Sequence, residues 1–272
     1  MNLKTTFIVF LLIISSAVSV KLLAQETKSP VSAEELAKKL SNPVASLISV
    51  PFQNNMDVGI GSFNGSKNTL NFQPVIPVNM SAKYNLISRF IIPIVTQHDI
   101  TGEGTRQSGL SDAVVSAWVS PAEAKNGLTW GVGPVFLVPI ATHDLLGTKK
   151  FGIGPTALVL KQTHGWTFGA LVNQIWSVAG ASDRAAVNQM FVQPFFSYNW
   201  KSGAGLGGNA EITQNWEGNT TSVFINPTLS GVTKIGKQTI QLLIGPRLQL
   251  AAPNGNKAAI GVRTILVFVF PK

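Results

Sequence analysis

Cysteine is absent from these 272 residues, and charged residues make up only 12% of them. The first absence excludes disulfides and thiolate chemistry, including cysteine-held metal centres. The second is about half the charged share of an average soluble domain, and mean hydropathy is slightly positive, at +0.25. Long apolar runs are scarce too. Phe7–Val20, a stretch of apolar and small residues, falls short of the ~20 residues that a stable spanning helix prefers. After it the best runs are Phe90–Val95 and Ile265–Phe270, six residues each. Beyond residue 24 no segment can cross a bilayer as a helix, so a membrane role would fall to strands.

Lys4 followed by Phe7–Val20 has the charged and apolar regions of a secretory signal peptide. Residues 1–24 are therefore expected to be removed after Ala24 during Sec-dependent export, and no Cys follows that could carry a lipid anchor. Loss of Lys4 and Lys21 takes the basic residues from 21 to 19 against 12 acidic ones, a net charge of +7. These charges are scattered rather than clustered, which argues against a nucleic-acid partner. Outer-membrane lipids and lipopolysaccharide are the expected surroundings, with the barrel-assembly machinery as a partner during insertion. No cofactor or metal is expected.

Residues 25–55 differ from the rest. Ser32 is a candidate N-cap, Leu36, Ala37 and Leu40 share a helical face, and Asn42-Pro43 stops the helix. The apolar segment Val44–Pro51 follows, and 25–55 as a whole reads as a helical plug or an arm at a barrel rim. From Met56 the period changes to two: Met56, Val58 and Ile60 alternate with Asp57 and Gly59, and Ile260, Val262, Leu266 and Phe268 end the chain in the same way. About twelve strands are predicted, at 57–63, 68–78, 83–95, 110–119, 127–139, 151–161, 166–177, 187–199, 206–215, 220–231, 238–250 and 258–270. Short connections (79–82, 162–165, 200–205) alternate with longer ones (96–109, 140–150, 178–186), as in barrels with short periplasmic turns and longer outer loops. The fold expected over 56–272 is all-β, a transmembrane antiparallel β-barrel.

The second face of the strands decides between water and lipid. It carries Asn71, Gln73, Asn85, Asn173, Gln193, Asn209, Asn226, Gln241 and Gln249, with Gly131, Gly133, Gly152 and Gly154. Lys and Glu would dominate a solvated exterior, so this face reads as a lumen and the apolar one as the lipid side. Val75, Val135, Leu137, Leu158, Leu160 and Leu171 share that lumen, which is therefore no wide aqueous pore. Trp130, Trp166, Trp176, Tyr198 and Trp200 near strand ends suit interfacial girdles. Pro74, Pro134, Pro155, Pro194, Pro227 and Pro246 lie inside strands, each after Gln, Gly or Asn, and suggest a repeated bulge.

Asp57, Arg89, Glu211, Arg247 and Arg263 are the lumen charges. They suit a constriction that selects solutes by charge, or an internal ion-pair network that fills the barrel. His98-Asp99 and His143-Asp144 fall in predicted outer loops and His164 in a turn. Ser108 and Ser111 lie near His98, but no nucleophile-elbow pattern accompanies them. Gly203–Gly208 lacks the Lys-Ser/Thr ending of a phosphate-binding loop.

The segments Asn42–Asn55, Gln73–Pro77, Trp130–Pro134, Asp144–Lys149 and Trp166–Leu171 resemble a family of bacterial outer-membrane proteins. Its members are labelled "transporter", sometimes neuromedin U, and it looks related to channels of phenol-degradation (meta-pathway) operons. The resemblance implies a barrel in the outer membrane of a Gram-negative cell, with charges at the positions of Arg89, Glu211, Arg247 and Arg263. The expected function is passive diffusion of a small hydrophobic or aromatic solute, without catalysis. A barrel enzyme acting on lipid or lipopolysaccharide, and a structural or adhesive barrel, are the alternatives.

Overall fold

The computed structural model describes residues 32–253 and 256–270. The expected signal peptide lies outside them. Helix α1 (Ala33–Leu40) precedes fourteen strands. They are β1 (Ile48–Ile60), β2 (Gly65–Phe72), β3 (Val75–Asn79), β4 (Tyr84–His98), β5 (Arg106–Leu110), β6 (Ala113–Pro121) and β7 (Leu128–Val138). β8 (Lys150–Thr163), β9 (Trp166–Gly180), β10 (Asn188–Asn199), β11 (Ala204–Asn215), β12 (Thr220–Ile235), β13 (Gln238–Ala251) and β14 (Ile260–Phe270) complete the set. β2 with β3, and β5 with β6, each form one interrupted stave along β4. The result is a closed antiparallel barrel of twelve staves, sealed where β14 pairs with β1 from Ile48↔Phe270 to Val58↔Ile260.

The expected fold holds, with one boundary moved. The first strand begins at Ile48, not near 57, so the barrel takes in residues assigned above to the plug. Ile48, Val50 and Phe52 face outward while Ser49, Pro51 and Gln53 face in. Asn54 on the outer face and Pro51 on the inner one obscured this alternation. Phe52 packs against Phe72 and Phe268, ring centroids 5.3 and 6.0 Å apart, which fixes the seam.

The strand prolines are not bulges. At Pro134, Pro155, Pro194 and Pro246 the pairing lapses for a few residues and resumes in the same register, as from Ser116↔Val135 to Val119↔Val132. Proline has no N–H to give, so the ladder opens locally instead of gaining a residue. The glycine before three of them explains how the gap closes sterically. A Cβ on Gly133, Gly154 or Gly245 would stand 1.9, 1.8 and 1.8 Å from a carbonyl oxygen of the adjacent strand. Only glycine leaves room for that oxygen. At Pro74 the stave breaks outright, yet the Pro74 carbonyl still accepts from Phe90 N–H at 3.1 Å.

Alternate residues divide cleanly between the faces. Val132, Val159, Phe168, Val172, Leu229, Leu242, Ile244 and Val262 are exposed on the outside. Such an apolar exterior is stable only against lipid. Tyr84, Trp130, Trp166, Tyr198 and Trp200 gather at the end where β1 starts and β14 finishes, with Trp166 and Tyr198 ring centroids 4.8 Å apart. Most connections at that end are short (80–83, 164–165, 200–203, 236–237; 122–127 is longer), whereas the far end carries 99–105, 139–149 and 181–187 beside the tight turns 61–64 and 216–219. The predicted loop alternation is present, but 96–109 shrinks because β4 and β5 continue pairing to His98↔Arg106.

Candidate functional site

Inward-facing residues divide the barrel interior into an apolar sector and a charged one. Ile87 on β4, Trp118 on β6, Leu158 and Leu160 on β8 and Leu171 on β9 form a buried cluster with Val44, flanked by Val75, Phe191 and Phe195. On β6, Ser116, Trp118 and Ser120 point inward and are buried. Trp118 lies fully buried and donates its indole N–H to Thr156 Oγ1 at 3.2 Å.

A polar network occupies the opposite wall. Arg247 Nε lies 3.2 Å from Asp57 Oδ1, and Arg247 Nη1 lies 2.9 Å from Glu211 Oε2. Glu211 Oε1 accepts from Arg263 Nη1 at 2.8 Å, so one carboxylate bridges two guanidinium groups. Arg263 Nε donates to Asn55 Oδ1 at 2.7 Å, Arg247 Nη1 to Asn226 Oδ1 at 3.2 Å, and Asn226 Nδ2 to Asn209 Oδ1 at 2.8 Å. Arg247 also covers the Phe224 ring, 3.5 Å from its centroid. These side chains come from β1, β11, β12, β13 and β14, so the network ties the closing seam from inside. Four of the five charges picked from sequence meet here: Asp57, Glu211, Arg247 and Arg263.

Arg89 does not join them. It sits on β4 beside the apolar sector, its guanidinium carbon 5.3 Å from the centroid of the Trp118 ring. No hydrogen bond or ion pair reaches its side chain from any described residue, and its Nε is buried without a partner. Sequence reading also missed Asn55, which it placed in the plug, and Lys67, cross-strand from Asp57. The alternation around Met56 held the signal for Asn55, and that of Lys67, Thr69 and Asn71 on β2 held it for Lys67.

Two cavities follow. The larger, about 520 Å³, opens among Asn55, Asp57, Lys67, Arg89, Phe191, Glu211 and Arg247. The smaller, about 190 Å³, lies against Lys39, Leu40, Asn42, Pro43, Ala45 and Leu47. Gln73 and Arg89 line both, and so stand at the neck that separates them. Below the neck the 33–47 segment fills the barrel mouth. Leu36 and Leu47 pack on the inward-facing Val267 and Val269 of β14. Gln162 Nε2 donates to the Lys38 carbonyl at 2.8 Å, and Asn199 Nδ2 to Ser41 Oγ at 3.0 Å. Ser32 caps α1 by accepting from Glu35 N–H at 3.1 Å, as its position suggested.

The histidines lie elsewhere. His98 ends β4, His164 occupies a turn beside Thr163, and His143 Nδ1 accepts from Leu145 N–H at 3.1 Å. The Ser108 hydroxyl shares a hydrogen bond with Thr96 at 2.9 Å, and Ser111 Oγ donates to the Leu146 carbonyl at 2.5 Å. Neither hydroxyl has a histidine partner among the described residues. Loop 139–149 is instead pinned by Asp112, which accepts from Thr148 N–H and Oγ1 at 2.6 Å each. Within that loop Lys149 Nζ stands 2.9 Å from Asp144 Oδ1. The Lys149 hydrogen bond, then its charge, hold the exposed Asp144 carboxyl below its usual range. That contact strengthens the fold above the unfolded carboxyl's pKa and fades as pH falls through the lowered one.

No protein-family model and no curated protein matches this sequence. Among solved structures, the chain is similar to an outer membrane channel from Pseudomonas putida F1, with a TM-score of 0.67 and 14% identity over 90% of this chain and 100% of that one. At that identity the likeness extends to the fold, and it supports the twelve-stave closure described above. A structure from a study of in-meso crystallization of membrane proteins reaches a TM-score of 0.44 at 10% identity, covering 82% of this chain and 84% of that one. A mutant porin of Rh. blastica reaches 0.22 at 12% identity, covering 83% and 99%. These last two are too distant in shape to bear on the fold.

Proposed function

We propose that this chain is an outer-membrane channel, exported through the Sec pathway, that passes a small hydrophobic or aromatic solute by passive diffusion. The observation that carries this reading is the pair of cavities inside a lipid-facing barrel, which share Gln73 and Arg89 in their linings and are covered at one end by residues 33–47. The apolar sector gives an apolar solute a surface to follow, and the charged wall keeps the rest of the lumen hydrated. The outer-membrane transporter family that the sequence resembles looks related to channels of phenol-degradation operons, which agrees with this reading. The lumen charges bear both roles considered for them: Asp57, Glu211, Arg247 and Arg263 brace the seam, and Arg89 is left to meet the solute.

Residues 33–47 serve as the plug. The deletion that tests this must stop before Ile48, since removing everything to Asn55 would take eight of the thirteen residues of β1. In lipid vesicles loaded with refolded protein, a chain lacking 32–47 is expected to pass small aromatic solutes several-fold faster than the full chain. Equal rates for the two would exclude a plug, and impermeable vesicles in both cases would exclude the channel.

A further inference from the structure

The interior of the barrel is not charge-neutral. Among the described residues, Lys67, Arg89, Arg247 and Arg263 share the charged wall and the larger cavity with two carboxylates, Asp57 and Glu211. Arg247 and Arg263 are held by those carboxylates, and Lys67 stands opposite Asp57 in the ladder. Arg89 has no such neighbour. Its cross-strand partners are Val75 and Ser116, its Nε is buried without a hydrogen bond, and no described acidic side chain reaches it. A guanidinium withdrawn from bulk water normally has a counter-charge or a full set of acceptors.

The surroundings of Arg89 are those of a receptor. Trp118, fully buried, lies under the guanidinium in cation–π contact. The group borders both cavities, and in the channel reading a solute moving from one to the other passes it. Phe191 lines the larger cavity and packs against the same apolar cluster that contains Trp118. An anionic head on Arg89 would thus leave its apolar body against aromatic wall.

We propose that Arg89 is a carboxylate-binding group at the neck of the conduit, and that the solute is an apolar or aromatic body bearing one carboxylate. This rests on the channel reading and narrows its solute class. The guanidinium fork matches a carboxylate with two parallel hydrogen bonds, a geometry that neither a neutral hydroxyl nor a cation supplies. The excess positive charge of the lumen repels an amine of the same shape.

The test compares three probes of one shape: benzoate, benzyl alcohol and benzylamine. Calorimetry on the full chain, refolded in detergent, is expected to show benzoate binding about 10- to 100-fold more tightly than benzyl alcohol, with benzylamine weakest. R89Q should remove that preference, while K234Q, on the exposed end of β12, should keep it. Equal binding of benzoate by R89Q and the unmodified chain, equal binding of benzoate and benzylamine, or no benzoate binding would each overturn the proposal. If R89Q does not refold, the three-probe series on the unmodified chain decides alone. Benzoate binding through Arg89 in a barrel that never conducts would uphold this site and defeat the channel. Conductance without benzoate preference would do the reverse.

Discussion

Glu211→Gln is expected to destabilise the barrel by about 3 kcal/mol, the lower end of the range for breaking a buried ion pair. The carboxylate bridges Arg247 at 2.9 Å and Arg263 at 2.8 Å. Glutamine keeps the size but offers one oxygen and no charge, so two guanidinium groups lose half or all of their ionic partner. Arg263 suffers more, because its side chain is 1% exposed and Asn55 is its one remaining short contact. Arg247 retains Asp57. The lower end applies because Glu211 borders the larger cavity and its side chain is 16% exposed. Urea unfolding in lipid measures the loss. The double variant with Arg263→Gln should lose less than the sum of the two singles, since the second change removes the charge that the first left stranded.

Trp118→Ala should cost about 3–5 kcal/mol, the range for emptying a large buried aromatic site. Trp118 is fully buried, shares a buried cluster with Val44 of the plug and donates to Thr156. Alanine leaves a void, a Thr156 hydroxyl reduced to its bond to the Val172 carbonyl, and an Arg89 without its aromatic support. Trp118→Phe keeps a ring and should lose only about 1 kcal/mol, the worth of the hydrogen bond. If both variants unfold at the same urea concentration as the parent, the apolar sector does not brace the barrel.

Much of this structure was legible in the residues. Period-two alternation with a Gly/Asn/Gln-rich second face is a physical signature of a closed barrel, because only lipid tolerates an apolar exterior over every strand. The strand count and loop alternation followed from it. β1 was shortened because Gln53, Asn54 and Asn55 are polar on both faces, so only Ile48, Val50 and Phe52 marked the outward side. The prolines were taken for bulges because sequence shows a missing donor but not whether register is kept. The Gly-Pro pairs at 133–134, 154–155 and 245–246 resolve this in space, where a neighbouring carbonyl takes the Cβ position.

The site was legible only as a list. Inward charges are identifiable by parity, yet parity does not say which pair and which stands alone. Asp57 and Arg247 are 190 residues apart and Asn55 and Arg263 are 208, brought together only by closure of β14 on β1. The isolation of Arg89 depends on Val75 and Ser116 being its ladder neighbours, which needs the register of β3 and β6 around β4.

The central claim is that this barrel is a conduit covered at one mouth by its own N-terminal segment. Single-channel current in a planar bilayer tests it most directly, on protein whose folding is first confirmed by a shift in gel mobility on boiling. The account predicts discrete conductance steps, small in the full chain and larger once 32–47 are removed. A well-folded barrel that stays silent in both forms would contradict it.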